Sequence, residues 1–282
     1  SSRMTLDDFK NLIDEQIGLL EIKLQGMGEP LMAGDVFFDM IEYARKRHIW
    51  VRATVNGSLL HLKDNYKKLI ASDICEVHVS IDGATKETFE AIRHGSRFEM
   101  VTRNAKLLND YAREAGKHRT RMWSVIQETN YHELDDLVRL AAELGFARLS
   151  LSSDLNDWGQ DHWREINDKV DAQKRFDAET GRRLIALGEE RGVEVTFWCL
   201  DEKYDTSAPE TLCQWPFERA YVSSDMRVVP CCMIANPEIS DLGDARKLSE
   251  IWNGDVMAAF RKAHLTGEIA DFCESCYKNR LT

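Results

Sequence analysis

From residue 20 to residue 198 the chain alternates short apolar runs with stretches of helical period, joined by short connections. Runs at 20–25, 50–55, 74–81, 121–127, 147–151 and 193–198 have the length and apolar character of buried strands. Helical spacing appears at 35–47, 62–71, 99–115, 134–144 and 169–191. Before the first strand, Thr5 and Asp8 form a capping-box pattern ahead of Leu6, Phe9, Leu12 and Ile13. Gly145 follows a clean apolar face and predicts a helix stop. Strand–helix alternation with short links specifies an α/β chain whose strands pair in parallel, as a sheet or barrel.

After residue 198 the helical period fades, Pro209, Pro216, Pro230 and Pro237 appear, and the cysteines cluster. A boundary is expected near 199, with 1–198 as the first domain and 199–282 as a smaller second one. Short helices are expected over 246–252 and 255–264. A chain of 282 residues, 43% apolar, can bury a full core. No apolar run reaches the ~18–20 residues of a membrane span, and the N-terminal residues lack a basic-then-apolar signal pattern. A cytoplasmic protein without a membrane partner is expected. The net charge of -11 disfavours a nucleic-acid partner. The basic run 45–48 falls at a helix end, where cations complement the dipole.

Six of the seven cysteines lie in the last third of the chain: Cys199, Cys213, Cys231, Cys232, Cys273 and Cys276. An odd number without a signal segment fits disulfides poorly. The CxxC of Cys273 and Cys276, with Cys213 and the Cys231-Cys232 pair, makes a four-thiolate set, the ligand complement of zinc or an iron–sulfur cluster. Cys75 and Cys199 are expected to be packed side chains. In parallel barrels chemistry sits at the C-terminal strand ends. Those ends here carry Gly28 and Glu29, Thr54 and Asn56, Ser80 and Asp82, Gln127 and Glu128, and Ser152 and Ser153. His78, on a strand, reads as a satisfied core histidine. The polar segment 154–167, with Trp158 and Trp163, reads as a substrate loop or a surface turn.

Taken together, these motifs resemble the radical S-adenosylmethionine superfamily, in its branch with a SPASM or twitch extension, over nearly the whole chain. Residues 26–30 resemble the GGEP strand-end motif, with Met27 in place of one glycine. Residues 54–57 resemble the TNG strand end, and Ser80-Ile81-Asp82-Gly83 with Arg93 resembles the ribose and carboxylate segment. Residues 225–232 resemble the DGxVxPC hairpin, with Met226 where glycine is usual, and 251–253 resemble the "IWN" before the terminal CxxC. Cys232 stands where related sulfatase maturases commonly carry Asp. The defining CxxxCxxC loop has no counterpart in this sequence, which reads as lacking the first strand and the cluster loop.

The resemblance implies a partial six-strand (β/α) TIM-like barrel without its first strand, followed by a cysteine-rich twitch/SPASM domain. It implies that Gly28, Glu29, Thr54, Asn56, Ser80 and Arg93 bind S-adenosylmethionine. It also implies that Cys213, Cys231, Cys273 and Cys276 hold an auxiliary [4Fe–4S] cluster, while the radical [4Fe–4S] cluster has no ligands in this sequence. Trp215, Phe217 and Trp252 would form the small core beneath the auxiliary cluster. The chemistry implied is hydrogen-atom abstraction by a 5′-deoxyadenosyl radical, with electrons from an external flavodoxin or ferredoxin. No catalytic side chain is assigned. The expected substrate is a small polyol, sugar or aminocyclitol that is oxidised. The alternatives are a maturase of a ribosomal peptide or protein, a zinc-binding barrel without radical chemistry, and a non-catalytic docking protein.

Overall fold

The computed structural model describes residues 4–26, 28–153, 155–198 and 204–277. These form two compact units, neither continuous in the chain. The larger takes Leu19–Leu155 and 169–198; the smaller takes 4–18, Asn156–Asp168 and 204–277. The division expected at 198/199 assigned residues 4–18 and Asn156–Asp168 to the barrel. Their packing explains why they group with the cysteine-rich part. Met4 and Leu12 pack on a buried cluster of Met226, Val228, Ala245 and Leu248, and the Met4 N–H donates to the Ser224 carbonyl at 2.6 Å. A Cβ on Gly159 would lie 3.0 Å from both Ile234 and Ile239. The expected capping box is present in helix α1 (Leu6–Asp14): Asp8 N–H donates to Thr5 Oγ1 at 3.0 Å and Thr5 N–H to Asp8 Oδ2 at 3.1 Å.

The larger unit holds β1 (Glu21–Leu24), α2 (Asp35–Lys46), β2 (Trp50–Val55), α3 (Asn65–Ala71), β3 (Glu76–Ser80), α4 (Lys86–Ile92) and α5 (Phe98–Glu114). It continues through β4 (Thr120–Val125), α6 (Leu134–Glu143) and β5 (Arg148–Ser152) to α8 (Ala178–Arg191) and β6 (Glu194–Trp198). The strands make one six-stranded sheet in chain order, every neighbouring pair parallel. The expected α/β parallel architecture is what the chain adopts.

Pleating separates the two faces of this sheet. Ala53, Val77, Val79, Met122, Leu149 and Leu151 are fully buried on one face. Helices close that face at contact distance. A Cβ on Gly188 of α8 would fall 2.6 Å from Val195 and 2.5 Å from the Val193 carbonyl, so only glycine fits there. The opposite face is polar: Thr54 is in register with His78, His78 with Arg121, and Ser80 with Trp123. A sheet that is apolar outward, under helices, and polar inward is built to hold a polar ligand.

Two local differences from the sequence reading have clear causes. Helix α4 has no sequence-level precedent in the apolar pattern, being only seven residues long. Its N-terminus is instead specified by Thr85, which accepts from Thr88 N–H at 3.3 Å, and by Glu133 from 48 residues away. Glu133 takes the Ala84 N–H at 2.8 Å and the Thr85 and Thr88 hydroxyls at 2.6 and 2.7 Å. Burial alone would raise its carboxyl, but these bonds hold it below the ordinary value. The long helix expected from 169 starts only at Ala178, because Asp177 caps it by accepting from Thr180 N–H at 2.7 Å. Gly145, at φ +83°, ends α6 as the sequence predicts.

In the smaller unit, α7 (Asp161–Asp168) occupies the expected loop segment, where Trp158 and Trp163 meet edge to face at 5.9 Å. Helix α9 (Trp215–Glu218) precedes an antiparallel three-stranded sheet of β7 (Tyr221–Val222), β8 (Arg227–Val229) and β9 (Gly243–Asp244). Helices α10 (Leu248–Asn253) and α11 (Asp255–Thr266) follow, close to the predicted ranges. Among the described residues no helix is long and apolar enough to cross a membrane.

Candidate functional site

The parallel register brings the strand ends β1–β4 side by side, and side chains stitch them together. Glu29 follows β1 and caps the turn Pro30–Ala33, its Oε1 accepting from Leu31 N–H at 3.1 Å. Its Oε2 accepts from Asn56 N–H, just past β2, at 2.7 Å. Burial pushes the Glu29 carboxyl up, while the two N–H bonds and the charge of Arg93 pull it down. Burial dominates. A carboxylate desolvated in this way gains most from a cation.

Arg93 ends α4, and its Nε donates to Asp82 Oδ2 at 2.6 Å. Asp82 is a hub. Its Oδ1 accepts from Val125 N–H at 2.7 Å, and its carbonyl accepts from Asn130 Nδ2 at 2.8 Å. Asn130, fully buried, also donates to the Val125 carbonyl at 2.8 Å. Gly83 lets α4 approach this hub, since a Cβ there would lie 2.4 Å from the Phe89 nitrogen.

Ser80 ends β3, 7% exposed, and Thr54 sits one pleat inside the β2 end on the same polar face as His78. Gly28 lies in open space, where a Cβ would meet nothing within 4 Å, so packing gives no reason for glycine. Met27, within the same motif, lies outside the described residues, as do Asp154 and Cys199. Glu29, Asn56 and Arg93 are thus brought together by bonds or charge, whereas Gly28, Thr54 and Ser80 are placed only by strand position. Glu128 is paired instead with Arg175.

The sequence reading did not include Asp82 or Glu133 among the binding residues. An Asp-Gly turn looks ordinary, and nothing in sequence links Glu133 to a helix start 48 residues earlier. The donor set nonetheless fits S-adenosylmethionine: a carboxylate for an ammonium, a guanidinium for a carboxylate, and hydroxyl and amide groups for a ribose.

In the smaller unit Cys213, Cys273 and Cys276 pack against a buried cluster of Leu212, Ile269 and Tyr277. Cys213 N–H donates to the Tyr277 hydroxyl at 3.1 Å. Burial pushes the Cys231 thiol up to about 12, and the charges of Cys232 and Cys276 add to it. Burial likewise raises Cys273, reinforced by Cys231, Cys276 and Cys213. The four thiols therefore share one electrostatic neighbourhood. Among the described residues no three His, Cys, Asp or Glu are arranged to hold a metal ion. By chemistry and proximity the set still fits an iron–sulfur cluster, whose thiolate bonds remove the protons that burial retains.

Trp215, Phe217 and Trp252, expected to form a core beneath the cysteines, are all half-buried rather than buried. The guanidinium groups of Arg219 and Arg261 instead lie 5.4 and 4.4 Å from the Trp215 and Trp252 ring centroids. Amphipathic rings paired with cations settle at the edge of a core rather than its centre. Cys75 lies in the larger unit, its sulfur accepting from Val51 N–H at 3.4 Å, as a packed side chain would.

A parallel α/β sheet with a polar face, a charged binding set across its strand ends and a cysteine-rich second unit defines a cofactor-dependent iron–sulfur class of protein. Residues 1–141 match the radical SAM superfamily model, and 213–277 match the SPASM model, described as an iron–sulfur cluster-binding domain. The chain belongs to the radical SAM superfamily, with a SPASM domain.

Among curated relatives, the mycofactocin maturase MftC of Mycolicibacterium smegmatis is 28% identical over 169 residues. That match covers 59% of this chain and 41% of the maturase, so the comparison spans well under half of that relative. Streptococcus suis SuiB, solved bound to its precursor peptide SuiA, superposes with a TM-score of 0.65 at 17% identity, covering 92% of this chain and 60% of that one. A structure of anSMEcpe with bound AdoMet gives 0.65 at 18% identity, covering 98% and 82%. The structural likenesses establish the fold.

Proposed function

We propose that this chain forms the S-adenosylmethionine site and the auxiliary-cluster domain of a maturase that modifies a ribosomal peptide. The similarity to a mycofactocin maturase carries the reading. It favours the peptide alternative over the small polyol, sugar or aminocyclitol first expected from the single auxiliary cluster. The match of residues 213–277 to an iron–sulfur domain likewise favours a cluster over zinc.

S-adenosylmethionine, when bound and reduced, supplies hydrogen-atom abstraction from an unactivated C–H bond. The chain's own part is to bind and orient. Glu29, fixed by the Leu31 and Asn56 N–H groups, would receive the methionyl ammonium. Arg93, held by Asp82, would receive the carboxylate, and Ser80 and Asn56 would meet the ribose. Thr54 and Gly28 would line the approach. Cys213, Cys231, Cys273 and Cys276 would hold the auxiliary [4Fe–4S] cluster. The CxxxCxxC spacing does not occur in these residues, so no residue is assigned to the radical cluster. A cytoplasmic flavodoxin or ferredoxin would supply electrons, in a compartment where free thiols persist.

The test is anaerobic turnover by the protein carrying this chain, with S-adenosylmethionine, a reductant, and either the peptides encoded beside its gene or a panel of polyols. Peptide-dependent 5′-deoxyadenosine is the expected result. Formation that depends on a polyol instead would restore the first expectation.

A further inference from the structure

Tyr277 directly follows the CxxC, and its side chain lies inside the smaller unit. It is 4% exposed and belongs to the buried cluster with Leu212 and Ile269, against which Cys213, Cys273 and Cys276 all pack. Its hydroxyl oxygen accepts from the Cys213 N–H at 3.1 Å. Among the described residues that is the one hydrogen bond this hydroxyl makes, and it uses only a lone pair. The O–H hydrogen has no acceptor.

Buried donors almost always have an acceptor, because leaving one unpaired costs stability. Losing the proton is no remedy here. Burial pushes the phenol up to about 12 against the pull of the Cys213 N–H, and the charges of Cys213, Cys273 and Cys276 act in the same direction as burial.

Nor can the ring readily swing away. Tyr277 pairs with Tyr204 in a parallel bridge, and the Tyr204 N–H donates to the Cys276 carbonyl at 2.9 Å. The Tyr204 and His264 rings lie 5.7 and 5.9 Å from the Tyr277 ring.

The neighbours narrow what can accept. Three of the four thiols assigned to the auxiliary cluster pack on the same buried group as this phenol. Sulfur bound to iron, as thiolate or sulfide, takes hydrogen bonds, and these help to set the cluster's potential. We infer that Tyr277 is a positioning residue of the auxiliary cluster, its O–H donating to a cluster sulfur while its oxygen holds the Cys213 backbone. This rests on the assignment of Cys213, Cys231, Cys273 and Cys276 given above.

Reduction adds negative charge to a cluster. A donor to sulfur therefore stabilises the reduced state more than the oxidised one and raises the potential. The test uses the 282-residue chain, in which the CxxxCxxC spacing does not occur, so anaerobic reconstitution loads the auxiliary cluster alone. EPR-monitored titration gives its midpoint potential in wild type, in Tyr277→Phe, and with 3-fluorotyrosine placed at position 277 only. Phenylalanine keeps the ring and removes the donor, whereas fluorine withdraws electrons and strengthens it. At a fixed potential Tyr277→Phe should hold about two- to tenfold less reduced cluster, the worth of one net hydrogen bond. At about 59 mV per tenfold for one electron, that is a fall of about 20–60 mV. The fluorinated chain should move upward. One exchangeable-proton coupling of the reduced cluster, read by ENDOR, should vanish in Tyr277→Phe.

An unchanged midpoint in a Tyr277→Phe chain with full iron, or both substitutions shifting it the same way, would overturn the inference and leave the cluster assignment standing. If Tyr277→Phe fails to hold a cluster, the fluorinated chain decides alone: a rise supports the inference, and no change or a fall overturns it. A wild-type chain that stays colourless removes the cluster assignment and the inference with it.

Discussion

Met226 sits at φ +64° in the turn between β7 and β8, where the resembling hairpin has glycine. The left-handed backbone costs a residue with a Cβ about 1–2 kcal/mol. The side chain offsets this, being 2% exposed within the cluster of Val228, Ala245 and Leu248. Truncating a buried Met typically loses about 2–5 kcal/mol. Met226→Ala removes the packing and keeps the strain, so it should lose that full amount. Met226→Gly removes both, regaining about 1–2 kcal/mol of strain less the ~0.4–1 kcal/mol that glycine's freedom in the unfolded chain costs. The Gly variant should therefore be less stable than wild type but up to about 1.6 kcal/mol more stable than the Ala variant. Equilibrium urea unfolding, followed through the tryptophans of the smaller unit, measures both differences. A Met226→Gly protein as stable as wild type would mean that strain outweighs packing, and the argument would be wrong.

Other outcomes follow from the same geometry. Glu76 is held down to about 2 because bonds and charge from His78 and Arg121 overcome its burial. A lowered folded pKa adds stability above the unfolded value of 4.5 that is lost as pH falls from there toward about 2, a contribution on the order of 3 kcal/mol. Glu76→Gln should flatten that acid limb in pH-dependent unfolding; an unchanged limb would place the loss elsewhere. Arg93→Ala should weaken S-adenosylmethionine binding by calorimetry about tenfold to a hundredfold, from ~1.5–3 kcal/mol of charged hydrogen bonding, and unchanged affinity would show that Arg93 is misassigned. Anaerobic reconstitution of the 282-residue chain should give a brown protein that loses its iron when Cys273 or Cys276 is changed to Ser. A colourless, zinc-loaded protein would contradict the cluster assignment.

The parallel sheet was legible because its strand runs are apolar and their helices periodic, signals that survive without tertiary information. The strand-end residues were legible as motifs, and Glu29 and Asn56 do meet. Long-range polar contacts were not legible. Glu133 caps α4, and Asp82 joins Arg93 to Val125, through bonds that no local pattern encodes. His78 shows the limit most clearly. Its strand position predicts a satisfied core histidine, and one ring nitrogen is satisfied, but in the folded chain the other is not. The grouping of α1 with the cysteine-rich unit was hidden for a similar reason, since an amphipathic face does not name its partner.

The central claim is that a hydrogen atom leaves a peptide for the cofactor held at these strand ends. Peptides encoded beside the gene, deuterated at their carbon-bound positions, test it directly when supplied with S-adenosylmethionine and reductant to the protein carrying this chain. The account predicts that 5′-deoxyadenosine gains one deuterium for each peptide modified. Unlabelled 5′-deoxyadenosine alongside a modified peptide would contradict it.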